Sequence, residues 1–166
     1  MNLKNYTSSV PANRSIQLIE ELLINAGATN INKTIGEDKE INGVTFDIPI
    51  KDKTFVFKLP SKVDLVYERL RKAIRRPTPV ALENCKAQAK RTAWKILYDW
   101  VQIQVSMIQI NQVEILEVFL PYMYSRLDNK TYFETLRDNN YNSLQLDYKK
   151  PDDTNEVIEE AEVVSD

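Results

Sequence analysis

Nine basic side chains on the two sides of a Pro-Thr-Pro sequence are the residues whose type and spacing best support a chemical role. Residues 62–95 contain ten bases against three acids, whereas the whole chain of 166 residues has 22 bases and 24 acids. Clustered Lys and Arg side chains neutralise phosphates and release counterions, and so bind nucleic acid without sequence preference. We therefore predict a nucleic-acid-binding surface here. Its candidate residues are Arg69, Arg71, Lys72, Arg75, Arg76, Lys86, Lys90, Arg91 and Lys95.

The same basic residues have a simpler interpretation, because Lys and Arg side chains commonly solvate the outer faces of helices. A surface for a protein partner is a further alternative. The nucleic-acid hypothesis requires that the charges on both sides of Pro77 gather on one solvent-facing surface of the folded molecule.

The acidic residues are concentrated near the end of the sequence. Residues 151–166 hold seven acids and no base, which leaves 17 acids against 22 bases in residues 1–150. Few large apolar residues and much like charge favour a disordered acidic tail over residues 150–166. Such a tail can compete with nucleic acid for the basic residues, tether a partner protein, or serve only to keep the chain in solution.

The residue types that most catalysis requires are scarce. The chain has no histidine, and its three glycines provide no Gly-rich phosphate-binding loop. Cys85 is the one cysteine and has no histidine partner, so we expect a buried, inert thiol. We predict no catalytic residue, no metal site and no cofactor, and therefore a protein that is not an enzyme. The alternative is an enzyme that uses carboxylates such as Glu114 and Glu117 with a divalent ion.

Aromatic residues offer a second candidate surface. Trp94 and Trp100 fall at core spacing and are expected to pack inside the protein. Tyr122 and Tyr124 lie beside Pro121, and we predict them as partner-binding residues if the chain binds a host protein instead of nucleic acid.

Hydrophobic periodicity predicts an α+β fold that begins with a helix, a three-stranded antiparallel sheet and a second helix. The first helix covers 13–26, with Asn13 or Ser15 as its N-terminal cap and Gly27 as its stop. Two-residue alternation then predicts strands with one buried face, which the first two helices would cover. The strands span 29–35, 44–50 and 54–59.

The second predicted helix runs from a Ser61–Asp64 capping box to Arg76. A long third helix follows over about 81–110, and Asn111 marks its end. Its apolar residues repeat with heptad spacing, which serves either an intramolecular bundle or a homo-oligomer. This seam consists of Ala89, Ala93, Ile96, Trp100, Ile103, Met107 and Ile110.

The C-terminal part is predicted to be helical. One helix spans about 113–124, with Pro121 kinking or ending it, and a short one spans 131–139. We expect an α-β-β-β-α subdomain over 1–76, with a helical subdomain over 80–140 packed on it as one cooperative unit. No signal peptide or membrane-spanning segment is expected, and a cytoplasmic location follows as the default.

Two segments carry a resemblance to a known group of proteins. Residues 89–101 read AKRTAWKILYDWV and residues 117–123 read EVFLPYM. The pair resembles small, functionally uncharacterised proteins of tailed phages and prophages, which carry A-x-R-x-A-W-[RK]-I-L-x-D-W-V before E-V-F-L-P-Y. The resemblance covers about 85–136 and brings no activity with it. It implies a phage or mobile-element origin, and therefore a nucleic-acid or host-factor partner in the host cytoplasm.

The predicted order of helix, three strands and helix is similar in topology to double-stranded-RNA-binding domains. The second helix nevertheless starts with Ser61-Lys62-Val63-Asp64, without the lysine cluster that grips RNA phosphates in that family. This likeness concerns fold alone, and a fold does not determine a function.

Overall fold

The computed structural model describes residues 3–144, and it has the predicted α+β architecture. A helix and a three-stranded sheet are followed by two helices that form a pair, and a smaller C-terminal unit of short elements completes the fold. The elements are α1 (Ala12–Asn25), β1 (Thr29–Ile35), β2 (Ile41–Ile50), β3 (Lys53–Pro60), α2 (Val63–Arg71), α3 (Pro79–Gln109), α4 (Ile115–Phe119), β4 (Tyr124–Ser125), β5 (Lys130–Thr131) and α5 (Tyr132–Asp138).

The sheet is antiparallel in the order β1-β2-β3, as the alternating sequence predicts. The register of β2 and β3 is regular from Gly43 opposite Pro60 to Ile50 opposite Lys53. Pairing extends β2 three residues before the predicted start at Val44, because Ile41 pairs with Ile35 across the β1–β2 turn. Asn42 and Gly43, which precede the predicted strand 44–50, therefore lie inside β2.

Helices α1 and α3 cover the apolar face of the sheet, so the expectation that the first two helices cover it is wrong. Ile19 of α1, Trp94 of α3 and Phe46 of β2 are fully buried in one cluster. Helix α2 packs on α3 and belongs to a separate small cluster with Cys85. Helix α3 has 31 residues, so different parts of it contribute to the cluster with α1 and the sheet and to the cluster with α2.

Aromatic side chains close the core at the C-terminal half of α3. Phe119 is fully buried, and its ring lies 5.6 Å from that of Phe46 and 6.0 Å from that of Phe57. Trp100 packs edge-on to Phe119 at 5.7 Å and contacts Tyr122 at 5.3 Å. Such pairs add roughly 0.5–1.5 kcal/mol beyond their buried area. The C-terminal segment is therefore anchored to α3 and to the sheet.

Two predicted helix caps are absent. Helix α1 begins after Pro11 without a side-chain cap, and Ser15 is buried in its first turns with no hydrogen-bond partner. Helix α2 begins after Lys62, whose φ of 50° is left-handed, and it has no side-chain cap. The hydroxyl of Ser61 donates to the carbonyl oxygen of Asn42 at 3.1 Å, so a bond to the neighbouring strand replaces the local capping box.

Helix α2 ends at Arg71, five residues before the predicted end at Arg76. The backbone N–H groups of Ala73 and Ile74 donate to Leu70 and Arg71, three residues back, which tightens and closes the last turn. A proline disfavours helical geometry in the residue before it, so Pro77 prevents the helix from continuing through Arg76. Thr78 then caps α3 by accepting the N–H of Ala81 at 3.2 Å.

The C-terminal unit differs in part from its prediction. The helix expected over 113–124 is reduced to α4 and a 3-10 turn over Leu120–Tyr122, because Pro121 ends the α-helical hydrogen bonding. The short helix over 131–139 is confirmed as α5, with a Thr131–Glu134 capping box at its start. Asn111 has a φ of 55° and follows the end of α3, as expected.

The acidic tail predicted over 150–166 lies outside the described residues. Within residues 3–144, no helix is long and apolar enough to cross a membrane.

Candidate nucleic-acid interface

Six of the nine predicted cations are exposed where α2 ends and α3 begins. None of the six lies within 4.0 Å of a carboxylate in the part of the chain that the structure describes. Residues 69–86 contain one acid, Glu83, against these six bases. We call the six residues the basic cluster. They are Arg69, Arg71, Lys72, Arg75, Arg76 and Lys86.

The side-by-side packing of α2 and α3 brings both sides of Pro77 together. Leu70 of α2 packs against Cys85 and Ala89 of α3, with Ile74 of the connection on the same cluster. Burial raises the pKa of the Cys85 thiol, and the Arg71 guanidinium offsets a part of that rise. Arg71 therefore acts electrostatically on α3 next to Lys86, across the connection. The two sides of Pro77 meet at this point of the fold.

Helix geometry spreads the cluster around the end of the helix pair. Arg69 and Arg71 are two residues apart, which is about 200° around the axis of α2. They leave α2 on opposite sides of Leu70, which faces α3. Lys72, Arg75 and Arg76 follow the last helical turn and are exposed on the connection. Arg69 and Arg71 therefore point to opposite sides of α2, and the requirement of a single solvent-facing surface is not met for these two residues together.

The other three predicted cations are half-buried and have internal partners. The Lys90 ammonium pairs with the Glu40 carboxylate of the β1–β2 turn. Lys95 pairs with Asp99 one turn further along α3. The guanidinium of Arg91 donates to the Ser8 carbonyl at 3.3 Å and to the side chain of Gln88.

The basic residues of α3 also point in different directions. Lys86 and Arg91 are five residues apart, which corresponds to about 140° around the helix axis. Lys90 and Arg91 line an open groove of about 360 Å³ between α3 and the start of α1. Arg91 also holds the N-terminal arm, the segment 3–11, against the helix through Ser8, and Lys95 pairs with Asp99, which contacts Lys4 and Asn5 of this arm. Contacts within the fold therefore distinguish Lys90, Arg91 and Lys95 from the basic cluster.

Asp99 is the centre of the contacts that hold this arm. Burial alone raises the pKa of its carboxyl, but hydrogen bonds from Lys95, Asn5 and Lys4 together lower it below the usual range. The Asn5 amide donates to Asp99 at 2.9 Å, and the Thr92 hydroxyl donates to the Asn5 carbonyl at 3.0 Å. A lowered pKa means that the ionised carboxylate stabilises the fold. Lys95 thus has a structural partner that its sequence position alone leaves undetermined.

The two tyrosines predicted to bind a partner are half-buried and have contacts within the protein. The ring of Tyr122 packs on Trp100, and the hydroxyl of Tyr124 donates to Asn129 at 2.7 Å. The Lys58 ammonium lies 4.9 Å from the centre of the Tyr124 ring. Tyr124 also lines an open groove of about 320 Å³ between β3 and the C-terminal unit.

The exposed apolar side chains of the C-terminal unit were not predicted from the sequence. Phe133 and Tyr141 are half-exposed, with ring centres 6.2 Å apart, and Leu144 beside them is 54% exposed. The periodicity of the α5 sequence indicates an apolar face, but it does not predict that part of this face is exposed to solvent. Near the end of α3, Ile103 and Ile110 of the heptad seam are also exposed.

The predicted carboxylate pair has a structural role. The N–H of Glu114 donates to the Glu117 carboxylate at 3.2 Å, and the two form the capping box of α4. Within residues 3–144, no group of three or more Cys, Asp or Glu side chains is arranged to hold a metal ion. Cys85 is buried, as expected from its surroundings.

The segments that resemble phage proteins form the core of the helical part. Trp94, Trp100 and Phe119 are packing residues, Asp99 holds the N-terminal arm, and Glu117 caps α4. The two segments on which the predicted resemblance depends therefore supply packing and capping residues here, and they contain none of the six residues of the basic cluster. Comparisons of the chain with family models, with curated proteins and with solved structures find no match.

Proposed function

We propose that the protein is a non-enzymatic accessory protein of a phage or mobile element that binds nucleic acid through the basic cluster in the host cytoplasm. The observation that supports this function is the combination of six exposed cations and the lack of a carboxylate partner for any of them in residues 3–144. Some other cations, such as Lys33 with Glu20, have such partners. The turn lysines Lys39, Lys51 and Lys53 also have no carboxylate within 4.0 Å in residues 3–144, but they do not belong to a group of six bases close together in sequence. Six cations without partners attract phosphates, whatever the sequence of the polymer.

The chemistry of the cluster favours backbone contacts over base recognition. Four of its six residues are arginines, whose planar guanidinium groups bind phosphate oxygens through two parallel hydrogen bonds. We therefore expect affinity with little sequence preference.

A matched pair of triple variants tests the proposal. Arg75→Gln, Arg76→Gln and Lys86→Gln remove three charges from the cluster, whereas Lys39→Gln, Lys51→Gln and Lys53→Gln remove three exposed charges from the turns of the sheet. Binding to a fluorescent duplex DNA, duplex RNA and single strand is measured by anisotropy at low salt. The cluster variant should bind at least about tenfold more weakly, and the sheet variant should bind as the wild type does. Equal losses in the two variants would refute the proposal.

A host protein is the second candidate partner, and one observation favours it. Phe133, Tyr141 and Leu144 leave an exposed apolar surface on the C-terminal unit. Exposed aromatic groups of this kind are common in protein interfaces. Phe133→Ser with Tyr141→Ser should then abolish capture of a host protein and leave nucleic-acid affinity unchanged. Loss of nucleic-acid affinity in this variant would speak against two separate surfaces.

A further inference from the structure

The acids of the described fold are distributed so that the basic cluster is left out. Glu40 pairs with Lys90, Asp99 pairs with Lys95 and Lys4, and Asp138 pairs with Lys130. The cluster itself has six cations, and the acids nearest to it in sequence, Glu68 and Glu83, lie within 4.0 Å of none of them in residues 3–144. Six exposed cations without a carboxylate partner in residues 3–144 suit a polyanion as their occupant.

The chain contains a polyanion of its own. Residues 151–166 carry seven acids and no base, and they follow the described fold after six intervening residues. Seven negative charges match the six positive charges of the cluster in number and sign. Since this segment has no base, its acids cannot be neutralised within the segment.

The length of the chain allows this segment to reach the cluster. The C-terminal unit contacts β3, because Met123 forms an isolated β-bridge with Phe57. Strand β3 ends three residues before α2 begins, and α2 is about 14 Å long at nine residues. Residues 145–166 span up to about 70 Å when extended. The distance from Leu144 to the basic cluster is therefore well within reach.

We propose that residues 151–166 bind the basic cluster of the same molecule and compete there with nucleic acid. The inference rests on the proposed function, because it assigns a regulator to the same site. Attachment to the chain gives the segment an effective concentration in the millimolar range, so that weak electrostatic contacts suffice for occupancy. Nucleic acid displaces it because a duplex carries a higher density of negative charge along its length.

The contact itself is tested in the full chain without nucleic acid. A nitroxide label on Ser165→Cys, in a Cys85→Ser background, should broaden the amide resonances of residues 71–86 at about 50 mM salt. The broadening should disappear at about 500 mM salt and in a variant whose seven acids in 151–166 are replaced by the matching amides. The amides around Asp52, in the β2–β3 turn, should stay sharp throughout. No broadening at residues 71–86 in the labelled protein would overturn the proposal.

The competition is tested with the same acid-to-amide variant in unlabelled form. It should bind a duplex DNA at least about tenfold more tightly than the wild type at low salt. A control chain with the acids of 151–166 retained in shuffled order should bind as the wild type does. If the amide resonances broaden but the wild type and the amide variant bind duplex DNA with equal affinity, the proposed competition is wrong. If neither protein binds nucleic acid and the broadening remains, the proposed function fails and the docking of the acidic segment stands.

Discussion

The salt dependence of binding follows quantitatively from the number of cations without partners. If each of the six cluster residues neutralises one phosphate of a DNA duplex, the logarithm of the binding constant should fall against the logarithm of salt with a slope of about −5. Between about 50 and 200 mM salt, this slope corresponds to a loss of roughly 10³-fold in affinity. All nine predicted cations would give a slope of about −8.

Single substitutions separate the cations of the cluster from those with internal partners. Arg76→Gln should reduce the slope by about one unit, because it removes one phosphate contact. Lys90→Gln should leave the slope unchanged, because the charge of Lys90 is already balanced by Glu40. The assay is fluorescence anisotropy of a labelled duplex over a salt series, in the variant with amides in place of the seven acids of 151–166, so that the segment does not compete. Equal changes of slope for Arg76→Gln and Lys90→Gln would refute the reasoning.

Three further predictions concern the fold that carries the cluster. Phe119→Ala removes the ring that packs between Phe46 and Trp100. The free energy of unfolding, measured in denaturant, should fall by about 3–5 kcal/mol. A loss below about 1 kcal/mol would contradict the described core. The pKa of Asp99 is lowered in the folded state, so its stabilising contribution is present above its unfolded pKa of about 4 and is lost as the pH falls through its folded pKa. Asp99→Asn should therefore flatten the acid side of the stability profile, and an unchanged profile would show that Asp99 does not stabilise the arm. Burial raises the pKa of Cys85, so a thiol reagent at pH 8 should modify the native protein far more slowly than the unfolded one, and equal rates would contradict the α2–α3 packing.

The sequence predicts the elements of the fold that depend on local periodicity. Strand β1 has the predicted bounds, and α3 begins and ends within two residues of its prediction, because alternation and heptad spacing are properties of neighbouring residues. The predicted caps of α1 and α2 are wrong because tertiary contacts override local propensity. Ser61 finds its acceptor, the Asn42 carbonyl, 19 residues away, and Ser15 is buried by packing.

The candidate site shows the same division between local and distant contacts. The Lys95–Asp99 pair has helical i,i+4 spacing, but Lys95 was assigned from the sequence to the nucleic-acid-binding surface and this ion pair was not predicted. The Lys90–Glu40 pair joins residues 50 positions apart and depends on how α3 lies on the sheet. The early end of α2 also changes the site, because Arg75 and Arg76 then lie on a connection and not on helix faces. The composition of the cluster is thus encoded locally, whereas its geometry is set by packing.

The most direct test of the account is a cross-link between the basic cluster and nucleic acid. A photoreactive phenylalanine in place of Ala73, an exposed residue between Lys72 and Arg75, is irradiated with a labelled duplex, and the same probe in place of Asp52 is the control. We predict a cross-link from position 73 that disappears at high salt, and none from position 52. A cross-link from position 52 with none from position 73 would contradict the assignment of the basic cluster as the nucleic-acid-binding surface.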